Sequence, residues 1–429
     1  MPSVSMPPLK RLIRPVIPLQ MVMAYHRRKR LEYIASLSPT LVPGRRTVLA
    51  VNHHCDQDYA AIARVNSHVN FVEVIAGTLF MGSSNYFTDD VEFIRAPYDS
   101  EPTGHRVRYR AESRLIYDRL RERFPFDLIL VPNDNYFFIR EFIDIAHGDG
   151  IKTVVLDKEG IISPHSYLAE SKRARDYTPV IADHIFVWSY RQKSFWGEKG
   201  VPPERITVVG QPRSDLLFQP PGNELDRYFE VRQPLVTAFS FLDTAYMPSA
   251  YVNETGGSWS AMKADLHEAV AALAERHPGY NFVIKCHPQQ RDLKSIRKKY
   301  ERANVRVIGG AALGNELILR SELVIAFQTT ALIEAMLVGN KAIYAAWDPQ
   351  IKTLEEYLLP FHRASGIILA ESPGHLHEVA DRVLSGDGTD FTFSAQEQER
   401  RREFVDGYLY SADGHASERF LEALERFPL

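Results

Sequence analysis

The chain has 429 residues, 45% of them hydrophobic and 24% charged. That is too long for one ordinary core and too apolar for a disordered chain, so two globular domains are expected. A net charge of −3 and only two cysteines, Cys55 and Cys286, exclude a global polyanion binder and a disulfide framework, so we expect no nucleic-acid partner and a reducing cytoplasm.

The charge is uneven. Residues 1–46 hold nine basic residues, among them Lys10, Arg11, Arg14 and the run Arg27-Arg28-Lys29-Arg30, against one acid, Glu32. That segment is +8, which leaves −11 for the rest. Within it "LIRPVIPLQMVMAY" is apolar, but it is short and broken by Pro15 and Pro18. Spanning a bilayer takes about 20 apolar residues, and no small-residue cleavage site follows. An apolar stretch between basic clusters suits the surface of an anionic membrane, and it equally suits a cationic lead-in packed on the first domain.

From Thr47 the pattern alternates. "TVLAVN" reads as a strand, followed by the polar turn "HHCDQD" and a helix; "NFVEVIAG" is a second strand. The basic helix His105–Phe124 precedes the strand "DLILVPND", and a helix ending near Gly148 precedes "IKTVVLDKEG". "HIFVWS" and "RITVVG" complete this half. Strand–helix alternation at this spacing predicts a parallel sheet covered on both faces. The Pro/Gly-rich stretch Gln219–Pro234 reads as a linker, after which the alternation restarts with "LVTAFSF", "NFVIKCHP", "VRVIGG", "ELVIAF" and "KAIYAAW". The expected division is therefore a basic segment 1–46, a Rossmann-like domain 47–218, a linker 219–234, a second Rossmann-like domain 235–394, and helices 395–429 returning to the first. Ligands are expected at the carboxyl ends of the strands, in a cleft between the domains.

Three stretches carry chemistry. In "ELVIAFQTTALIEAMLVG" a buried strand runs into a helix. Thr329 or Thr330 is suited to cap that helix, and its free first-turn amides and dipole suit a phosphate. Glu334, one turn in, could accept ribose hydroxyls or stand in solvent. In "VIKCHPQQR", Lys285, His287 and Arg291 gather at a strand end, as a diphosphate would need. In "RITVVGQPRSDLL", Gly210 permits close backbone approach, Arg213 could face the cleft, and Asp215 could cap the next helix or anchor that arginine.

In this order the three stretches resemble the GT-B fold, closest to bacterial surface-polymer enzymes: CDP-glycerol glycerophosphotransferases of teichoic acid synthesis and related surface-carbohydrate transferases. "DGHASERFLEALERF" near the end is similar to their closing helix, and the likeness spans about Ile185 to Leu429. Where that family has a D-Y-S-S stretch, this chain has "FQTT", which weakens the glycerol-specific version. UDP-N-acetylglucosamine 2-epimerases share the fold and a similar G-x-P-R-x-D stretch.

The resemblance implies a nucleotide-sugar donor held by Arg213, Lys285, His287, Thr329, Thr330 and Glu334, and a glycan or lipid-linked acceptor. A glycosyltransferase of surface polysaccharide synthesis is the leading expectation, with glycerophosphate transfer or epimerisation as alternatives. No cofactor is expected, and transfer without a metal ion. The acceptor hydroxyl must lose its proton, and the candidate bases at strand ends are Glu159 in "LDKEG", then His53 and His54, with Asp56, Asp58, Asp134 and His165 behind them.

Overall fold

A computed structural model describes residues 19–86, 104–134, 136–158, 160, 163–165, 167, 179–230, 232–310 and 313–429. The chain divides into two compact units. One comprises Met1–Gly160, Ala169–Arg213 and His415–Leu429, and the other Ile161–Leu168 and Ser214–Gly414.

The first unit is built on a six-stranded parallel sheet of order β2-β1-β3-β4-β5-β6. Its strands are β1 (Thr47–Asn52), β2 (Asn70–Ile75), β3 (Leu128–Val131), β4 (Lys152–Leu156), β5 (His184–Val187) and β6 (Ile206–Val208). Every residue of β1 and β3 is buried, as a parallel strand covered on both faces requires. The helix Ala416–Arg426 completes this core: Phe420, Leu421 and Leu424 pack among Val48, Ala50, Leu128 and Val154. Arg46 fastens the helix end by donating to the carbonyls of Leu424 and Phe427 at 2.6 and 2.9 Å. The Arg419 guanidinium donates to the Val209 carbonyl at 2.9 Å. The basic helix Leu19–Ser36 packs on the helix Gly104–Arg123, where the buried Arg30 reaches Glu112 at 3.1 Å. No described helix is long and apolar enough to cross a membrane.

The second unit has its own six-stranded parallel sheet, of order β12-β11-β10-β7-β8-β9. Its strands are β7 (Leu235–Phe239), β8 (Asn281–Lys285), β9 (Val305–Ile308), β10 (Ser321–Ala326), β11 (Lys341–Ala345) and β12 (Ile368–Ala370). The chain leaves Arg213 and enters this unit at Ser214. The segment 219–234 belongs to it, with the Leu225 amide donating to Glu316 at 3.0 Å. Of the tail, the helix Ala395–Leu409 lies in this unit and only Ala416–Arg426 in the first.

Candidate functional site

The second sheet runs outward from β7 through β8 to β9, then resumes at β10 on the other side of β7. The carboxyl ends of β7 and β10 therefore border a crevice of the kind where open α/β sheets bind ligands. Register places Lys285 opposite Phe239 and Phe239 opposite Ala326. The ends of β8, β7 and β10 thus stand in one row, about 5 Å apart from strand to strand.

At the end of β10 the chain turns at Gln328, whose φ of 45° lies in the left-handed region. The buried Gln328 amide clamps that turn. Its nitrogen donates to the Tyr344 hydroxyl at 2.8 Å and the Leu359 carbonyl at 3.0 Å, and its oxygen accepts from the Leu359 amide at 2.8 Å. Thr329 then caps the helix Thr330–Leu337, its hydroxyl accepting from the Ala331 amide at 3.3 Å. Thr329 and Thr330 are partly exposed, and Glu334 is buried on the same helix. A strand end, a strained turn and a capped helix start present free amides and partial positive charge at the sheet edge.

Lys285 is buried, and its ammonium donates to the carbonyls of Cys286, at 3.2 Å, and of Gly310. Among the described residues no carboxylate pairs with it, and burial draws its pKa below the ordinary lysine value. The His287 Nδ1 accepts from the Gln289 amide at 3.2 Å, which places the proton of the neutral ring on Nε2. Burial, and next the charge of Lys285, lowers the His287 pKa. The ring is therefore neutral at physiological pH and offers a donor at Nε2.

Sequence reasoning missed one pair here. Ser240, just past β7, has its hydroxyl 2.9 Å from Nε2 of His267, which comes from the helix Ser260–Arg276. Both are buried, and burial pushes the His267 pKa down to about 4. The two lie 27 residues apart in sequence, and no motif joins them.

In the first unit the strand order reverses between β1 and β3. His53 leaves the end of β1 with its ring edge-on to Tyr136 at 5.1 Å and Phe138 at 5.8 Å. Burial, and then the charges of Lys158 and His54, lowers its pKa to about 4, so it stays neutral near pH 7. His54 follows at φ 63° and is exposed. Asp58 is buried and accepts from the Arg213 amide at 3.2 Å, with the Arg213 guanidinium 3.9 Å from its other oxygen. Burial raises the Asp58 pKa, against the pull of Arg213. The Arg213 guanidinium also lies 4.8 Å over the Trp188 ring. With the Gln211 amide oxygen turned toward it, it donates two bonds of 2.9 and 3.1 Å.

Arg213 thus closes a corner of the first unit, whereas Lys285, His287, Thr329, Thr330 and Glu334 all belong to the second. Glu159 lies outside the described residues. Its neighbour Gly160 is buried against Trp188, and a Cβ there would overlap the indole. Asp134 is a buried brace that accepts from the Ile181 and Ala182 amides at 2.7 and 3.1 Å. His165 belongs to the second unit, its ring 3.9 Å from that of Tyr357. The chain contains an Asp-x-Asp, Asp56-Gln57-Asp58, whose carboxylates diverge. Asp58 is buried against Arg213, and Asp56 is exposed, accepting from the Asn52 amide at 2.8 Å. Among the described residues no three His, Cys, Asp or Glu side chains come together to hold a metal ion.

No protein-family model and no curated protein matches this chain. Solved structures do. A UDP-N-acetylglucosamine 2-epimerase is similar over 89% of this chain and 95% of its own, at 13% identity and a TM-score of 0.53. The UDP-GlcNAc 2-epimerase of Neisseria meningitidis, solved with UDP-GlcNAc, is similar over 89% and 100%, at 12% identity and 0.52. The wall teichoic acid polymerase TagF is similar over 97% and 96%, at 12% identity and 0.51. At such identities the likeness is one of fold: the two parallel-sheet units are those of the GT-B class.

Proposed function

We propose that this chain is a glycosyltransferase that takes a sugar from a nucleotide donor and passes it to a glycan or lipid-linked acceptor in surface-polysaccharide synthesis. The observation that carries this reading is the edge of the second sheet. There a buried lysine that has no carboxylate partner among the described residues, the Nε2 donor of His287 and a threonine-capped helix start gather at one row of strand ends. A buried ammonium held by carbonyls retains most of its attraction for an anion, because little water screens it. In support, the Neisseria epimerase of the same fold is solved with UDP-GlcNAc.

In this reading the acceptor oxygen attacks the anomeric carbon, the bond from that carbon to the diphosphate oxygen breaks, and negative charge grows on the departing nucleotide. Lys285, His287 and the amides following Thr329 meet that charge, Thr330 adds a hydroxyl donor, and Glu334 accepts from the ribose. The acceptor proton goes to a base, with Glu159 as one candidate and, at the edge of the first sheet, the neutral His53 and His54 as the others. Arg213 holds the Asp58 corner of that edge. The basic segment at the start of the chain keeps the enzyme at an anionic membrane surface, where a lipid-linked acceptor would lie. The exposed Met21 and Tyr25 on the helix Leu19–Ser36 suit that placement.

Titrating the protein with UDP, CDP and GDP while following thermal unfolding tests the donor site. A nucleotide at 100 times its Kd should stabilise the fold by about 2.7 kcal/mol. No stabilisation by any of the three would overturn the reading.

A further inference from the structure

At the opposite edge of the second sheet, where β11 begins, a cavity of about 720 Å³ opens beside the end of the helix Thr330–Leu337. Its other walls are the stretch from Gly388 to Phe393, the helix Ala395–Leu409 and the turn after it. None of the residues placed at the donor or acceptor edge lines it. Its volume falls within the range of small-molecule sites, about 300–1,000 Å³.

The lining specifies a ligand class. Phe391 and Phe393 stand edge to face, ring centres 6.2 Å apart, and both are partly exposed. Beside them the exposed Asp406 and Arg402 project from successive turns of one helix. One Asp406 oxygen accepts from the Ala412 amide at 3.5 Å, and Arg402 is paired with Glu399 on its own helix. The lining carries Lys341, Arg401 and Arg402 against Asp406 and Asp413, and Lys341 and Arg402 are themselves paired with Glu322 and Glu399, so the wall has no single-sign field to attract a polyanion. Arg401 is occupied: it donates to the carbonyls of Met336, Gly366, Ala335 and Asn340 at 2.8–3.3 Å. Aromatic faces next to planar acceptors and donors match a neutral sugar, whose C–H face is apolar and whose hydroxyls both donate and accept.

A second feature coincides with the cavity. Tyr410 and Ser411, in the turn that forms its wall, have φ of 54° and 35°. Consecutive non-glycine residues in this region cost about 1–3 kcal/mol each and concentrate at ligand clamps and active sites.

We infer that this cavity binds a short neutral oligosaccharide segment of the glycan that the enzyme extends, at a site separate from the donor edge. The inference rests on the glycosyltransferase reading. Bound there, a glycan would stay attached between transfers, and each successive acceptor end would meet the enzyme at a raised effective concentration.

Fluorescently labelled full-length protein is applied to a printed array of bacterial surface oligosaccharides, neutral and anionic. Calorimetric UDP affinity is measured in parallel for the protein, the double variant Phe391→Ala/Phe393→Ala, and Asp406→Asn. The expected result is retention on neutral oligosaccharides, weakened at least tenfold in both variants, with UDP affinity unchanged. Asp406→Asn preserves shape, so the outcome stands even where the double variant folds poorly. No retention on any oligosaccharide, retention on anionic ones alone, or equal retention by Asp406→Asn and the unaltered protein would overturn the inference. Failure to bind any of UDP, CDP and GDP beside intact oligosaccharide retention would instead count against the donor reading alone.

Discussion

Lys285→Met separates a ligand-binding lysine from a structural one. Lys285 is 5% exposed, with two carbonyl partners and, among the described residues, no carboxylate. Burying an ammonium this way costs solvation, and its lowered pKa reports that cost. Methionine has a similar volume and no charge, so the fold should lose less than about 1 kcal/mol, or gain, since replacing buried charge by well-packed apolar groups is often neutral or stabilising. The diphosphate, by contrast, would lose a hydrogen bond to a charged group, worth about 1.5–3 kcal/mol. At 1.4 kcal/mol per tenfold, nucleotide affinity should fall about tenfold to a hundredfold. Calorimetric titration gives the affinity and urea unfolding the stability of both proteins. Unchanged affinity together with a clear loss of stability would refute the reasoning, and would make Lys285 a tie between β8 and the turn at Gly310.

Other outcomes follow from the same geometry. His267 is 3% exposed and its pKa is lowered from 6.5 to about 4, so the unfolded chain takes up its proton first. Its contribution is complete above pH 6.5 and is lost as pH falls toward 4, by about 3 kcal/mol at 1.36 kcal/mol per unit; His267→Gln should flatten the pH dependence of urea unfolding over that window. The His287 pKa is lowered in the free protein and a phosphate beside it would raise it, so nucleotide affinity should rise as pH falls below neutrality, and should do so less in His287→Gln. Binding to anionic vesicles should weaken with added salt, because screening acts over about 8–10 Å at moderate ionic strength. The combined variant Lys10→Gln, Arg11→Gln, Arg14→Gln should sediment less with those vesicles than the unaltered chain, and equal sedimentation would remove the membrane role.

The sequence made the sheets legible because a parallel strand buried on both faces is a short apolar run, as in "TVLAVN" and "ELVIAF". Thr329 as a cap was legible for a local reason: the hydroxyl and the amide it satisfies are two residues apart. What stayed hidden is set by packing between distant segments. The amide of Gln328 is spent on Tyr344 and Leu359, up to 31 residues away, a pairing that no local pattern announces. The resemblance implies Arg213 as a donor ligand, and no local pattern announces that its amide donates to Asp58, 155 residues earlier. The Ser240–His267 pair and the cavity beside Phe391 likewise join segments that no local pattern connects. Gly160 shows the reverse: the glycine was visible, and only the indole of Trp188 explains it.

The central claim is transfer from a nucleotide sugar to an acceptor, and the most direct measurement is nucleotide release from UDP-, CDP- and GDP-sugars. It is run with and without a lipid-linked glycan fraction, and the sugar of the donor is analysed after each run. The account predicts release of free nucleotide from one donor class that depends on the acceptor, with the sugar recovered in the glycan. Conversion of the donor sugar to its epimer without any acceptor, or no turnover of any donor, would contradict it.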